Sequence, residues 1–465
     1  MKKKRGILKK CIPLLAALPF LMGTAGYWIA GEKAADALYY SVGLYGLNLN
    51  SSAINIWIEI ARWTAPFVVG AGIAAAVQKV YDHIYSRIVC LYKDATAVYS
   101  RSEAGKLLKE RLPHAVLCEE QLLSRGKEHV IMLDNDEETL SFYQKNKEKL
   151  SGKKVYLCLK EIDQNLLEGN FEVIFFNVND VIARSFWKQE RLWDREKGDE
   201  RWQIAILGFE SLGQELLYYA LLLNLFSLKQ QVHYHVFGES RLYQASHHSF
   251  QPMNQDQVIF HGPKYYDSWE LLGQMDHIVA TTPMDIELIQ VLLCRCPRAR
   301  ISYYSPQNGK LEEFIGAGRL EPFGRDEDVY TEKNIKTDES YRMAKEVHAH
   351  YVFGQEGAEE WKKELSFGKL DGFTKGSNIS VADFKEVVQK LRQSGDIGIP
   401  EQELAELEHI RWCRYHLLNH WKYGVLPDGK LKDPKQKIHS CLCSYACLPE
   451  EEKRKCMEVA RFYCS

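Results

Sequence analysis

The sequence predicts a membrane-anchored multidomain chain: two transmembrane helices, two α/β Rossmann-like modules built on parallel sheets, and a mainly α-helical carboxy-terminal domain. Three observations predict it. Two long apolar runs lie close together near the amino terminus. From residue 94 short β-rich runs alternate with amphipathic helical stretches, and from about residue 338 helical periodicity takes over. At 465 residues the chain is long enough for several domains of roughly 100–200 residues each. The boundaries read as 1–82 for the membrane domain, 90–196 and 200–306 for the two α/β modules, and 338–465 for the last domain, with a polar linker over 306–340.

The first ten residues, MKKKRGILKK, carry six basic side chains and no acid. The next twenty, CIPLLAALPFLMGTAGYWIA (11–30), carry no charge. As a helix that length spans a hydrocarbon core of roughly 30 Å. A basic start followed by an apolar run also describes a signal peptide. The second apolar run, AINIWIEIARWTAPFVVGAGIAAAVQ (53–78), favours two membrane helices at about 11–30 and 55–78. The positive-inside rule then keeps both termini in the cytoplasm and makes the chain a multi-pass protein of the cell membrane. Glu59 and Arg62 stand three apart on one face of the second helix, as candidate pore residues within the span or as an ion pair at its interfacial end. Pro66 falls inside the apolar run.

Between the two runs, Val42, Gly43, Tyr45 and Gly46 approach the filter pattern T-V-G-Y-G. Leu44 interrupts it, and Ser41 stands one step from the threonine position. A filter needs consecutive backbone carbonyls along a pore, so no potassium selectivity is expected.

Charge is nearly balanced, 60 Lys and Arg against 62 Asp and Glu, which gives no basic field for a nucleic-acid partner. The twelve cysteines are scattered, as thiols of a reducing compartment would be. HSCLCSYAC (439–447) lacks the paired spacing of common zinc sites, so no metal is expected.

In the middle of the chain DATAVYS, EHVIMLDND, KKVYLCL and FEVIFFNV read as strands of a first parallel sheet. RWQIAILGF, QQVHYHVFG, DQVIFHG, MDHIVATT and ARISYYS read as strands of a second. In a dinucleotide-binding turn, G-x-G-x-x-G, the second glycine lets the backbone approach a pyrophosphate. The first module has Ser100, Ser102 and Gly105 at these positions, with Asp134 as a candidate ribose-binding acid. The second has Gly208, Glu210 and Gly213, placing a carboxylate where a phosphate would sit. A nucleotide cofactor is therefore conceivable at the first module alone; the alternative is that both folds serve as scaffold. No catalytic set appears at sensible spacing, so the chain reads as a non-enzyme.

ILGFESLGQELL, together with DALY…LN…ARWTAP, resembles the TrkA-N (RCK-like) family over roughly residues 12–305. That resemblance implies nucleotide-binding folds coupled to a two-helix membrane part, working as an oligomer and as a tetramer if a pore forms.

The helix around EHIRWCRYHLLNHWKYG (408–424) places Glu408, Arg411, Trp412 and Tyr415 on one face. A carboxylate, a guanidinium and aromatic rings suit a flat anionic ligand. They equally describe an ion pair beside core tryptophans. Ser377 or Asn378 reads as the N-cap of an earlier helix.

The pattern W…L…SN…AD…LAELEHIRW…HWKYG…DPKQKIH…LPEEEK is similar to the bacterial ryanodine-receptor-type (RyR) domain over about 340–460. The resemblance implies sensing of a small nucleotide-derived ligand, with Ser377, Asn378, Glu408, His409, Arg411, Trp412, Trp421 and Tyr423 as binding residues. The function implied is a ligand-gated, ion-channel-like membrane effector in stress or phage defence. The alternative is a non-conducting, membrane-tethered regulator of a partner protein.

Overall fold

The computed structural model describes residues 2–48, 51–92, 94–119, 121–166, 173–190, 192, 201–282, 286–307, 311–315, 318–336, 339–354, 358–394 and 399–464. The chain divides into two compact units, Met1–Tyr92 and Lys93–Ser465.

The first unit holds α1 (Lys2–Ile29), α2 (Ala34–Gly43) and α3 (Ile56–Tyr92). Asn55 starts α3, its Oδ1 accepting from the Trp57 and Ile58 amides at 3.1 and 3.0 Å. Its Nδ2 donates to the Gly26 carbonyl of α1 at 2.7 Å. Gly26 permits that approach, because a Cβ there would lie 2.7 Å from Ile58 Cγ1. Tyr45 ties the turn after α2 to α1 by donating to the Ala16 carbonyl at 2.7 Å.

The sequence predicts two membrane spans. Among the described residues one helix is long and apolar enough, Ile56–Ala74 with mean hydropathy 1.2, and Ala16–Ile29 is a shorter apolar stretch. The side chains of residues 1–15 lie outside the description. The 43–46 segment is helical, not an extended filter: Gly43 closes α2, Leu44–Gly46 forms a 3₁₀ turn, and the Gly43 carbonyl accepts from the Asn48 amide at 3.0 Å. Glu59 and Arg62 pair at 3.2 Å in the first turns of α3, where a carboxylate suits the helix dipole.

The second unit opens with β1 (Thr96–Tyr99), α4 (Glu103–Arg111), β2 (Ala115–Cys118), β3 (Glu128–Ile131), α5 (Asp136–Leu150), β4 (Lys154–Leu159), β5 (Val173–Asn177) and α6 (Val178–Gln189). Its strands form an all-parallel sheet in the order β2-β1-β3-β4-β5. This is one of the two common doubly wound orders.

The second sheet follows with β6 (Arg201–Leu207), α7 (Ser211–Leu223), β7 (Gln231–Phe237), α8 (Arg241–Ser246), β8 (Gln257–His261), α9 (Trp269–Leu272), β9 (His277–Ala280), α10 (Ile286–Arg295), β10 (Arg300–Tyr304) and β11 (Leu320–Phe323). Its parallel order, β11-β10-β9-β6-β7-β8, is that of dinucleotide-binding folds, with the switch point between β6 and β9. The predicted α/β class with helix-covered parallel sheets is thus found. Two strands escape the sequence reading: β2, which is only four residues long, and β11, which lies in the stretch read as linker and extends the second module beyond residue 306.

Short helices α11 (Asp326–Val329) and α12 (Glu332–Ile335) lead to α13 (Glu339–Phe353), α14 (Glu360–Gly368), α15 (Gly372–Ser394) and α16 (Glu401–Leu418). A small sheet of β12 (Lys422–Tyr423), β13 (Lys432–Asp433) and β14 (Ile438–His439) precedes α17 (Glu450–Cys464).

One apolar core runs through both sheets and the helices. Polar ties cross it. Trp187 of α6 donates its indole N–H to the Leu216 carbonyl of α7 at 2.8 Å. Lys188 meets Asp383 at 2.6 Å and Glu386 at 2.9 Å, joining α6 to α15.

Candidate functional site

The glycine turns come first, because a nucleotide would use them. In the first module Ser102 caps α4, its Oγ accepting from the Gly105 amide at 3.2 Å, and its hydroxyl lies 2.9 Å from that of Ser100. A Cβ on Gly105 would come within 2.3 Å of Ser100 Cβ, so this glycine serves close packing of helix on strand. Asp134 follows β3, on the opposite side of β1 from β2. The ribose acid of a dinucleotide fold follows the second strand, so Asp134 does not occupy that place; counting β2 moves it. Arg101 faces Asp134 at 3.6 Å and Glu138 at 3.3 Å.

In the second module Gly208 has φ +94°, and a Cβ there would meet Thr281 Oγ1 at 2.4 Å. A Cβ on Gly213 would lie 2.2 Å from the Gly208 carbonyl oxygen. Gly208 is required by its backbone conformation as well as by packing, and Gly213 by packing. Phe209, between them, is buried edge-on against Tyr243 and Phe260.

The carboxy-terminal helices place the remaining candidates. α15 begins at Gly372, where Asp371 Oδ1 accepts from the Thr374 amide at 2.7 Å. Ser377 and Asn378 therefore lie inside a helix and cap nothing. Asn378 instead donates to the Thr374 carbonyl one turn back, at 2.8 Å. The helix-start signal is the DGFT just upstream.

On α16 the shared face divides between different neighbours. Arg411 is wholly buried. Its Nε and Nη2 donate to the two oxygens of Glu408, each at 2.7 Å, and its Nη1 donates to Ser380 Oγ of α15 at 2.6 Å. The Tyr463 hydroxyl of α17 donates to the same carboxylate. Burial opposes the charge on Arg411, but Glu408 beside it outweighs burial and raises its pKa. A guanidinium fully buried and bonded through all three nitrogens is withdrawn from the solvent side where a ligand's phosphate would sit. The assignment of Arg411 and Glu408 as ligand contacts is corrected accordingly: they form a buried ion pair that joins three helices.

Trp412 turns the other way, toward the small sheet. Its ring centroid lies 4.0 Å from that of His416, 4.9 Å from that of His439 and 5.8 Å from that of His409. Trp421 lies 5.3 Å from His416 and stacks on Phe373 at 5.4 Å. The structure thus brings Trp412, Trp421 and His409 into one ring cluster and adds His416, His439 and Phe373, which sequence reasoning misses. Tyr423 is exposed, in register with His439 across β12 and β14.

Two hydrogen bonds fix the tautomers of the buried histidines. His416 Nδ1 donates to the Trp412 carbonyl at 2.9 Å, which leaves Nε2 a lone pair. His439 Nδ1 accepts from the Cys441 amide at 3.1 Å, which leaves Nε2 the proton. Burial pushes His416 down to about 3, and burial with the nearby Lys432 pushes His439 down to about 4. Both rings are neutral near pH 7. His409 is committed elsewhere, its Nε2 bonded to the Cys443 carbonyl at 2.8 Å. No group of three or more metal-ligating side chains occurs among the described residues.

Between Trp412 and His416 in sequence, Arg414 leaves the cluster and enters the second α/β module. It donates to the Pro252 and Leu221 carbonyls at 2.7 Å each, to Asn254 Oδ1 at 2.6 Å and to Asp256 Oδ2 at 2.7 Å. The same loop sends Phe250 and Met253 against the apolar cluster of Cys413, Leu417 and Trp421.

No protein-family model, curated protein or solved structure matches the chain. What the site does chemically therefore rests on its geometry. It combines packed aromatic rings with a neutral acceptor on α16 and a neutral donor on β14, and α16 is anchored into a neighbouring module.

Proposed function

We propose that the chain is a ligand-responsive membrane effector. Its RyR-like helical domain senses a small nucleotide-derived molecule, its TrkA-N-like modules relay occupancy, and its amino-terminal helices act in the bilayer as an oligomer. The observation that carries this reading is the position of Arg414. The helix that bears Trp412 and His416 is locked by Arg414 to the loop whose Phe250 and Met253 wall the same cluster. A ligand that shifts the rings then acts on the α/β module with no further part needed.

Exposed apolar surface in the first unit supports the membrane end of the reading. Trp28 is 70% exposed, Phe67 76% and Ile73 59%. Large apolar side chains left this exposed are the kind that a bilayer or a partner surface covers.

The closed hydrogen bonding at Gly43 favours the second reading, a tethered regulator that conducts nothing. Proteoliposomes of the full chain separate the two. The effector is expected to release entrapped ions on ligand addition, and Trp412→Ala to abolish release. Binding without flux of any ion would leave the regulator. A chain that does not associate with bilayers would remove both.

A further inference from the structure

A cavity of about 220 Å³ opens on the second module. Leu217 and Leu221 line it from one face of α7, a turn apart, and Val258 and Phe260 from one face of β8. The remaining walls come from α8 with the residue after it, Tyr243, Gln244 and His247, and from Phe250 and Pro252 of the loop leading to β8. The Tyr243 ring is held in place, stacked on His247 at 4.0 Å and edge-on to Phe209 at 4.9 Å.

Size and lining define what such a cavity takes. An apolar cavity of about 150 Å³ stays dry and binds benzene, so this one has room for a fused or substituted ring. Tyr243, Phe250 and Phe260 supply aromatic surface for it. No acid, lysine or arginine is among the lining side chains, so nothing there balances a charged ligand. Gln244 is exposed and marks the mouth. Its Nε2 donates to Ser240 Oγ at 2.8 Å, and no bond among the described residues engages its Oε1, which can accept from a ligand N–H.

The walls are also joined to the aromatic helix. Arg414 holds the carbonyls of Leu221 and Pro252, and His247 Nε2 lies 3.0 Å from the carbonyl of Leu418, the last residue of α16.

We propose that this cavity binds a neutral aromatic molecule of about the size of indole: the ring lies among Tyr243, Phe250 and Phe260, and its N–H donates to Gln244 Oε1. The site is separate from the Trp412 cluster and does not rest on the sensor reading above. Because three of its walls are bonded to α16, an occupied cavity braces the seat of the helical domain on the second module.

The test is fluorine NMR of 5-fluoroindole with the full chain in detergent, with empty micelles as the blank. A saturable signal that depends on the protein is expected, together with a raised unfolding midpoint. Fluorobenzene, which lacks the donor, should bind more weakly, and 4-fluorobenzoate, which is charged, should not bind. Val258→Phe puts a ring into the cavity and should abolish the signal while the unfolding midpoint is kept. Gln244→Leu, at an exposed position, should weaken 5-fluoroindole about fivefold, the worth of one hydrogen bond, and leave fluorobenzene unchanged. If Val258→Phe fails to fold, Gln244→Leu decides. The absence of any saturable signal would overturn the site, as would 5-fluoroindole binding unchanged in the variants that fold. Benzoate binding as well as indole would overturn the ligand class.

Discussion

Arg414 and Asp256 meet at 2.7 Å with both side chains wholly withdrawn from solvent, although 158 residues separate them in sequence. One belongs to the aromatic helix and the other to the loop before β8, so the pair fixes how the helical domain seats on the second module. Removing one partner of such a pair leaves a buried charge uncompensated, at a cost of about 3–5 kcal/mol. Asp256→Ala and Arg414→Met should each lower the unfolding midpoint of the chain sharply. The double variant should recover part of the loss. Independent, additive losses in a denaturant titration would show that the two do not act as a pair.

Glu408→Gln should also act on stability. It removes the carboxylate charge that faces Arg411 and weakens the bond from Tyr463, so a loss of about 3 kcal/mol or more is expected in urea unfolding. Arg411→Ala should unfold the domain by a comparable amount, contrary to what a surface ligand contact would do. A stable Arg411→Ala protein that loses only ligand affinity would restore the contact role.

The difference between the sequence reading and the structure has a physical pattern. The parallel sheets are legible because their buried strands are runs of apolar residues set between amphipathic helices. β2 is not, since AVLC is four residues long between polar flanks. β11 is not either, because LEPF carries Pro322 and Glu321. That composition is allowed at a sheet edge, where β11 lies. SN mimics a helix start although Asp371 supplies the real one. Trp412 and Trp421 could be picked out from aromatic density alone. His416, His439 and Arg414 could not, since their roles depend on partners brought together by the fold: a tautomer set by a backbone group, or a carboxylate in another module.

Gly213→Ala tests whether the second glycine turn is scaffold. The added methyl would sit 2.2 Å from the Gly208 carbonyl, a backbone atom that cannot swing aside. Overpacking of this kind costs about 1–3 kcal/mol. The variant should lose that stability in the absence of any nucleotide. An unchanged melting temperature would mean that the turn is looser than its packing shows.

The ring cluster should give the chain a pH-dependent stability with a defined sign. His416 goes from 6.5 when unfolded to about 3 when folded, and His439 from 6.5 to about 4. Between those values the unfolded chain binds protons that the folded chain refuses, so stability rises with pH. It is fully present above about pH 6.5 and is lost as pH falls toward 4, by up to about 1.4 kcal/mol per pH unit for each histidine. Lys432 and Lys455 repel a proton at His439, Glu452 attracts one, and Arg411 opposes one at His416. Carboxylates elsewhere titrate in the lower part of this window, so the contribution is read as a difference. Urea unfolding at pH 7.5, 6.0 and 5.0 should fall less steeply for His416→Phe than for the unaltered chain, because one of the refusing groups is gone. Parallel slopes for the two proteins would mean that His416 takes up a proton in the folded chain as readily as in the unfolded one, so that its burial does not carry the effect.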